Sequence, residues 1–438
     1  MLKSRRGVLI AFALILISAF AGAGLANPIK TVFVISMENQ NWTQPANQFT
    51  GGQQQVYHNP AAHFLNNLVD GTAYATINGM MTSISSQTSY ASAYHNVLST
   101  PTGNNPSIHP SEPNYIWSEG GTNFGVLNDN TPYQSPGGTN QNTTAHLSTL
   151  LTQAGKTWKS YQEGIDLAGS GSSKTNTVLP QSQWTVPLNN ISGTSSLYTN
   201  PYNGSHQYDY AAKHCPTCFF TDSNGGNNTT PSNPLSQKYA PLEQLALDLA
   251  GNTVADYNWI TPDQFNDMHT ALSGGFNYDG TLYTGDQARI AQGDNFLKMI
   301  IPTIMASQAY QNDGAIIIWW DESEPDGSGN QNDFNHTIGE IVISRDAHSN
   351  VNGMPYVSPL NYTHSSDLLT MQEIFHVGPY EGVPLLGDAA NATDLKDLFA
   401  PDAIPEPSSL VTMLAGLGLL AVRARKRVGP GVTPGSTV

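Results

Sequence analysis

The chain has 438 residues, of which only 11% are charged, and its formal net charge is −16 at pH 7. Both ends are basic, so the body from 27 to 404 keeps 10 basic against 32 acidic residues, about −22. A body this acidic repels nucleic acid and offers no general surface for phosphate. Nucleic-acid binding is therefore excluded, and a phosphate ligand would need metal cations for its positive charge.

The first 26 residues join a basic start, an apolar run over 8–20 and small residues that end at Ala26. This order is typical of a secretory signal peptide that is cleaved after Ala26. The apolar run is short for the alternative, an N-terminal membrane anchor. We therefore expect an exported protein whose body begins at residue 27.

Apolar runs and amphipathic stretches alternate along the body, which predicts an α/β fold with a mostly parallel central sheet flanked by helices. Strands are predicted at 31–35, 158–162, 257–260, 315–320 and 339–344. Helices are predicted at 60–69, 144–154, 241–250, 285–308, 364–376 and 392–399. A polar passage follows Gly71, and residues 168–204 form a weakly patterned insert within one domain over 27–404.

The only two cysteines, Cys215 and Cys218, stand in the sequence KHCPTC. In an exported protein such a pair predicts a small local disulfide or inert thiols. A zinc site is the alternative, but a second pair to complete four ligands is missing.

The stretch AIIIWWDE over 315–322 is the strongest strand signal. A continuous apolar run of this length predicts a strand buried on both faces, as in parallel sheets. Asp321 and Glu322 follow at its carboxyl end, which is where open α/β sheets bind ligands. Two acids that simply stop a strand at the surface are the alternative.

Chemically capable side chains stand at five separate turns of the chain. A helix-start serine can attack a phosphorus atom, and carboxylates and histidines at strand ends can hold metal ions. Ser111 precedes Pro113, which suits the first position of a helix. Each residue also has an ordinary structural explanation as a cap, a first-turn acid or a hydrogen-bonded loop histidine. The turns carry Glu38 and Asn39; Ser111 and Asn114; Asp267 and His269; Asp321 and Glu322; and His336 and His364.

The carboxyl end has its own pattern: Pro-Glu-Pro at 405–407, an apolar run at 408–422, the basic cluster RARKR at 423–427 and a tail at 428–438. This order resembles the PEP-CTERM sorting signal. The resemblance implies an exosortase-type partner and delivery to the bacterial cell envelope, outer surface or extracellular matrix. The 15-residue apolar run, short for a full span, predicts transient membrane association through a transmembrane segment.

Six ordered motifs resemble the bacterial and fungal phosphoesterase family, which contains acid phosphatases and phospholipases C and is related to the alkaline phosphatase superfamily. They are VFVISMENQNW, HPSEPNYIWSEGG, HLSTLLTQAGKTWKSYQEG, ITPDQFNDMH, WWDESEPD and YTHSSDLLTMQEIFHVG, which together span about 30–400. The resemblance implies an alkaline-phosphatase-like fold, a phosphate-ester substrate and one or more divalent metal cations.

The same resemblance assigns roles to residues that match the family's motifs. It implies that Ser111 is the nucleophile and that Asn39, Asn114, His269 and His364 belong to the catalytic set. The implied metal ligands are Glu38, Asp267, Asp321 and Glu322. His214 and His336 are weaker candidates, because the family's Asn and Phe near His214 are replaced here and the insert before His336 varies in length.

These residues predict a phosphomonoesterase of acid-phosphatase type that works through a phosphoserine intermediate. A divalent cation would lower the pKa of the Ser111 hydroxyl, and His269 or His364 would protonate the leaving alcohol. Two alternatives stay open: a phospholipase C-type phosphodiesterase, and a catalytically inactive envelope or matrix binding protein on the same fold.

Overall fold

The computed structural model describes residues 28–45, 54–96, 109–133, 138–324, 336–349, 352–378 and 383–405. The predicted signal peptide at 1–26 and the tail at 428–438 lie outside the described residues, as does the predicted sorting segment apart from its first residue, Pro405. Among the described residues, no helix has the length and apolar character that crossing a membrane requires.

A single eight-stranded sheet forms the centre of the molecule. Its order is β14-β4-β13-β12-β1-β9-β5-β8, and every neighbouring pair is parallel except the two that involve β13. The predicted mostly parallel α/β sheet is therefore confirmed. The strands are β1 (Thr31–Met37), β4 (Thr88–His95), β5 (Trp158–Gln162), β8 (Tyr239–Pro241), β9 (Tyr257–Thr261), β12 (Gly314–Trp320), β13 (Glu340–Ser344) and β14 (Tyr356–Thr363).

Three antiparallel hairpins lie outside this sheet. They are formed by β2 (Tyr74–Ile77) with β3 (Met80–Ser83), β6 (Ile191–Thr194) with β7 (Gln207–Tyr210), and β10 (Phe276–Tyr278) with β11 (Thr281–Tyr283). The second hairpin ties the end of the weakly patterned 168–204 insert back to the body of the chain.

Seven α-helices occur in the described part of the chain. They are α1 (His63–Val69), α2 (Ser111–Gly120), α3 (Leu147–Gln153), α4 (Glu243–Gly251), α5 (Gly285–Met305), α6 (Gln308–Gln311) and α7 (His364–Ile374). All ten side chains of α2 are buried, so this helix is enclosed by the rest of the fold.

The central strands form where the sequence is most continuously apolar. All seven residues of β12 are buried, as are the last six of β1, because helices cover both faces of the parallel sheet. The register sets Met37 opposite Trp320. The residues that follow these two strands, Glu38 and Asp321, therefore emerge side by side at the same edge of the sheet.

Three features of the fold differ from the prediction. Strands β4 and β14 lie where no strand is predicted, and β13 runs antiparallel to its neighbours. The predicted last helix is only a 3-10 turn, Leu395–Leu398. Of the two outcomes predicted for the cysteines, a local disulfide or inert thiols, the structure shows free and buried thiols.

Candidate active site

Three parallel strands deliver candidate residues to one edge of the sheet. Glu38 follows β1 and Asp321 follows β12, while the turn after β9 leads to Asp267. The backbone N–H of Glu38 donates to the carbonyl oxygen of Asp267 at 2.7 Å, and that of Asn39 donates to Oδ1 of Asp321 at 3.0 Å. The three turns are thus joined by hydrogen bonds at the carboxyl ends of the strands, where α/β sheets place their ligands.

Ser111 is the first residue of the buried helix α2, and its hydroxyl meets the strand-end residues. The Oγ atom lies 3.1 Å from Oε2 of Glu38, 3.3 Å from Oδ1 of Asn39 and 3.2 Å from Oε1 of Glu322. Pro113 is the third helical residue rather than the first, because the helix begins two residues earlier than predicted. The predicted nucleophile and three predicted partners therefore meet in space.

A second group of side chains lies on the other oxygen of Glu38. Its Oε1 lies 3.2 Å from Nε2 of His214, and Nδ1 of that ring lies 3.5 Å from Oδ2 of Asp267. One ligand atom from each of these three residues falls within 4.8 Å of the others, and all three side chains are buried. His214, a weaker candidate in the sequence, thus stands at the centre of this cluster.

This cluster fits a metal cation by a test that does not depend on the family. Among the described residues, both ring nitrogens of His214 and the Oδ2 atoms of Asp267 and Asp321 are buried without a hydrogen-bond partner. Buried polar atoms almost always have such a partner, and the binding of an ion is one explanation when they do not. Carboxylate and imidazole donors together suit a divalent cation.

The electrostatics of the site point the same way. Burial, followed by the charges of Asp321 and Asp267, holds the pKa of Glu38 well above its ordinary value. Burial also raises the pKa of Asp267, Asp321 and Glu322 far above their usual range. Four buried carboxyl groups this close together cannot all ionise without added positive charge. A bound cation would supply that charge.

Glu322 also connects Ser111 to two neighbours on the loop and helix around it. Its Oε2 lies 2.7 Å from Nδ1 of His109, and the amide nitrogen of Asn114 lies 3.5 Å from the same oxygen. Asn114 is therefore beside the predicted metal ligand and one helical turn from Ser111.

His364 holds a carbonyl group of the site instead of facing the reaction centre. Its Nε2 donates to the backbone oxygen of Asp321 at 2.6 Å, while Nδ1 accepts from the indole N–H of Trp319 at 2.9 Å. Burial lowers the pKa of the ring to about 3. A neutral ring with both nitrogens engaged suits a positioning role, and the predicted role of proton donor stays a prediction.

His269 and His336 differ in the contacts that they make. The His269 ring centroid is 6.0 Å from that of His214, and its Nδ1 lies 2.8 Å from Oγ1 of Thr270. Burial, then the charges of Lys213 and Arg289, lowers the pKa of His269 to about 4. His336 is buried, and its carbonyl oxygen lies 3.1 Å from Nδ1 of His95, so its part in the site stays a prediction.

The sequence analysis missed two residues that contact the cluster. His109 pairs with Glu322, and Tyr115 donates its hydroxyl to Oε1 of Glu38 at 2.5 Å while its ring stacks on His214. Both stand in the HPSEPNY motif that identified Ser111. Their closeness to Ser111 in the sequence was the signal that could have identified them as site residues.

Comparisons with known proteins identify a family and a sorting motif in this chain. The Phosphoesterase family matches residues 104–378, and the PEP-CTERM protein-sorting motif matches residues 403–427. Glu38 and Asn39 lie outside the first match, so their place beside Ser111 rests on the structure.

Two curated relatives are named as phosphatases. A probable acid phosphatase of Kluyveromyces lactis is 23% identical over 294 residues, which cover 66% of this chain and 55% of that protein. A phosphatidylinositol-3-phosphatase of Mycobacterium tuberculosis is 25% identical over 295 residues, which cover 66% of this chain and 69% of that protein. The chain thus spans little more than half the length of the first relative and about two thirds of the second.

Among solved structures, a protein in the alkaline phosphatase superfamily from Vibrio parahaemolyticus has a TM-score of 0.43 at 12% identity. That match covers 86% of this chain and 74% of the other. At this score the likeness supports no argument, and the fold class rests on the sheet described above. Because the family match covers well over half of the sequence, the chain belongs to the phosphoesterase family.

Proposed function

We propose that the protein hydrolyses phosphate monoesters through a phosphoserine intermediate on Ser111. The observation that carries the proposal is the contact of the Ser111 hydroxyl with Glu38, Asn39 and Glu322 at 3.1 to 3.3 Å at the start of a buried helix. A serine so placed can pass its proton to a neighbouring carboxylate as it attacks, while the helix end favours the negative phosphate. The two relatives named as phosphatases support the same reaction class.

In the first step Ser111 Oγ forms a bond to phosphorus, and its proton passes to Glu38 or Glu322. The bond from phosphorus to the ester oxygen breaks, and the alcohol leaves after taking a proton from His109, which lies beside the cluster through its contact with Glu322. In the second step water attacks the phosphoserine and gives a proton to His109. The bond from phosphorus to Oγ breaks, the carboxyl group returns its proton to Oγ, and inorganic phosphate is released.

Glu38, His214 and Asp267 would hold a divalent cation, with Asp321 and Glu322 beside them. A cation bound there would neutralise the phosphate oxygens and lower the pKa of the attacking hydroxyl. Tyr115 and His364 would orient this set, the first through Glu38 and the second through the Asp321 carbonyl.

The PEP-CTERM motif supports delivery by an exosortase-type system to the bacterial envelope or surface. The enzyme would then act on phosphate esters outside the cytoplasm. A Pro-Glu-Pro deletion that left the protein's cellular distribution unchanged would remove the basis for this part of the proposal.

The test of the reaction is hydrolysis of p-nitrophenyl phosphate by the 27–404 body, with and without a chelator. Ser111→Ala should lower kcat by about 10³-fold or more, as expected when a covalent nucleophile is removed. Mass spectrometry after acid quenching should detect the phosphate on Ser111 in the wild-type chain. Activity of Ser111→Ala close to that of the wild type would rule out the phosphoserine route.

Binding without turnover is the alternative that this test also addresses. If the wild-type body with added metal hydrolysed neither mono- nor diesters, an inactive binding protein on the same fold would be the better description.

A further inference from the structure

The side chain of Lys213 lies at the same helix end as the nucleophile. Its Nζ atom is 2.5 Å from Oδ2 of Asp129, and Oδ1 of Asp129 accepts the backbone N–H of Glu112 at 3.1 Å. Glu112 directly follows Ser111, and Lys213 directly precedes His214. Lys213 is therefore next to the metal cluster along the chain, and its ion pair with Asp129 connects it to the start of α2.

Lys213 is the one basic residue of the 27–404 body that directly adjoins a member of the metal cluster, His214, in the sequence. Its side chain is 14% exposed. Burial raises the pKa of Glu38 and Glu322, and the positive charge of Lys213 opposes both rises. The ammonium thus acts on both carboxylates that contact the Ser111 hydroxyl.

We propose that Lys213 exchanges its ion pair with Asp129 for a non-bridging oxygen of the substrate's phosphate, and that this contact makes the site prefer monoesters to diesters. The proposal rests on the proposed function and adds the residue that selects monoesters. Asp129 holds the ammonium in place while the site is empty and gives it up to the more highly charged ligand.

The preference follows from charge. A phosphate monoester carries a charge of about −1.5 to −2 near pH 7 and three terminal oxygens, whereas a diester carries a single negative charge and two such oxygens. Four buried carboxyl groups surround the nucleophile, so a second negative charge on the substrate requires a second source of positive charge. Hydrogen bonds between charged partners are roughly twice as strong as neutral ones. Lys213 therefore stabilises the bound monoester more than the bound diester.

The experiment compares Lys213→Met and Lys213→Arg with the wild-type body, with Lys159→Met as the matched control. Lys159 pairs with Asp248 at 2.6 Å and is also 14% exposed, but it lies in β5, away from Ser111. The readouts are kcat/KM for p-nitrophenyl phosphate and for bis(p-nitrophenyl) phosphate at pH 7, and the Kd of inorganic phosphate by calorimetry.

We expect Lys213→Met to lower kcat/KM for the monoester about 100-fold, the size of effect seen when one partner of a buried charge pair is removed. The kcat/KM for the diester should fall no more than about 3-fold. The Kd of inorganic phosphate should rise in Lys213→Met as the monoester kcat/KM falls. Lys213→Arg should recover most of the lost monoester kcat/KM, and Lys159→Met should change kcat/KM for neither ester. Asp129→Asn should tighten phosphate binding, because the ammonium is no longer held by a competing carboxylate.

Equal losses on both esters, or monoester activity unchanged in Lys213→Met, would overturn the proposal. A wild-type body that hydrolysed neither ester would refute the proposed function instead. In that case phosphate binding still decides on Lys213, since an unchanged Kd in Lys213→Met would reject the contact. Far-UV circular dichroism of each variant separates these results from misfolding.

Discussion

Oε2 of Glu38 lies 3.1 Å from the hydroxyl oxygen of Ser111, and the other oxygen of the same carboxylate lies 3.2 Å from Nε2 of His214. One side chain therefore joins the nucleophile to the cation cluster. Because it follows β1, whose last six residues are buried, its position is fixed by the core of the sheet. Loss of Glu38 should consequently affect metal binding and chemistry together.

We expect Glu38→Gln to lower kcat/KM by about 10³-fold, since residues that act as a unit in catalysis lose most of the rate when one is removed. The same variant should weaken binding of Mn²⁺ or Zn²⁺ to the chelator-treated protein, measured by calorimetry. The control is Glu373→Gln, because Glu373 is a buried acid that pairs with Lys396 outside the site. Metal affinity equal to that of the wild type would exclude Glu38 as a ligand.

Tyr115→Phe tests the support of this carboxylate without removing a ligand. The change deletes the 2.5 Å hydrogen bond to Oε1 of Glu38 but keeps the ring that stacks on His214. Partners that orient a metal ligand typically contribute about 10- to 100-fold to affinity or activity. We expect the metal Kd to rise and kcat to fall by factors in that range, with an unchanged circular dichroism spectrum. A rise in KM alone would point to a substrate contact instead.

The two possible roles of His364 predict different pH–rate profiles. As a positioning residue with a pKa near 3, it is neutral throughout the working range. His364→Gln should therefore lower kcat while leaving the shape of the kcat/KM profile between pH 4.5 and 8 unchanged. If His364 were the proton donor, the basic limb of the profile would disappear in the variant.

Glu340 and Asp367 make stability depend on pH. Burial, and then the charge of Asp367, raises the pKa of Glu340 well above its ordinary value, and burial raises the pKa of Asp367 to about 7. In the unfolded chain both would titrate near pH 4. The folded state thus binds more protons between about pH 4 and 7, and its free energy of unfolding falls as pH rises through that window.

Glu340→Gln should flatten this dependence, because the remaining Asp367 no longer shares its surroundings with a second acid. Urea unfolding at pH 4.5, 5.5 and 7 provides the measurement, with chelator present so that metal binding does not contribute. Other buried acids add to the wild-type slope, so the informative quantity is the difference between the two proteins. An identical slope in the variant would show that the pair does not titrate in this range.

The sequence indicates the centre of the fold better than its edges. Strands β1 and β12 are continuous apolar runs, and their acids at the carboxyl ends could be paired from the α/β rule alone. Strand β4 escapes such reasoning because buried positions such as Thr88 and Ser89 are polar. Their hydroxyls donate to the carbonyl oxygens of Ile84 and Leu398, which hydropathy cannot register.

In the candidate site, too, some residues are identified by the sequence and others only by the fold. Motif matching found Ser111 and the carboxylates, but it ranked His214 low because its cysteine neighbours depart from the family pattern. The structure brings His214 to Glu38 through a 3-10 turn, Ala212–His214, which no periodicity announces. For His364, only the fold shows that Trp319 and the Asp321 carbonyl contact the two ring nitrogens.

Asn200 gives the weakly patterned insert a testable role. Its amide nitrogen donates to Oε1 of Glu163 at 2.8 Å and lies 3.3 Å from Oδ2 of Asp263. The same Glu163 accepts from the side chain of Asn266, the residue before Asp267. The insert is thereby joined to the turn that presents a predicted metal ligand, through side chains that are all buried.

Asn200→Ala should therefore lower the free energy of unfolding by about 1–3 kcal/mol, because buried acceptors lose their donor. It should also weaken metal binding, measured by calorimetry, since Asn266 and Asp267 lose part of their support. The control is Asn176→Ala in the same insert. The exposed side chain of Asn176 bonds to the backbone of Thr199, and its removal should lower the free energy of unfolding by about 0.5 kcal/mol or less, as surface substitutions do. If Asn200→Ala destabilised the fold yet left metal affinity equal to that of Asn176→Ala, the insert would support the fold without positioning Asp267.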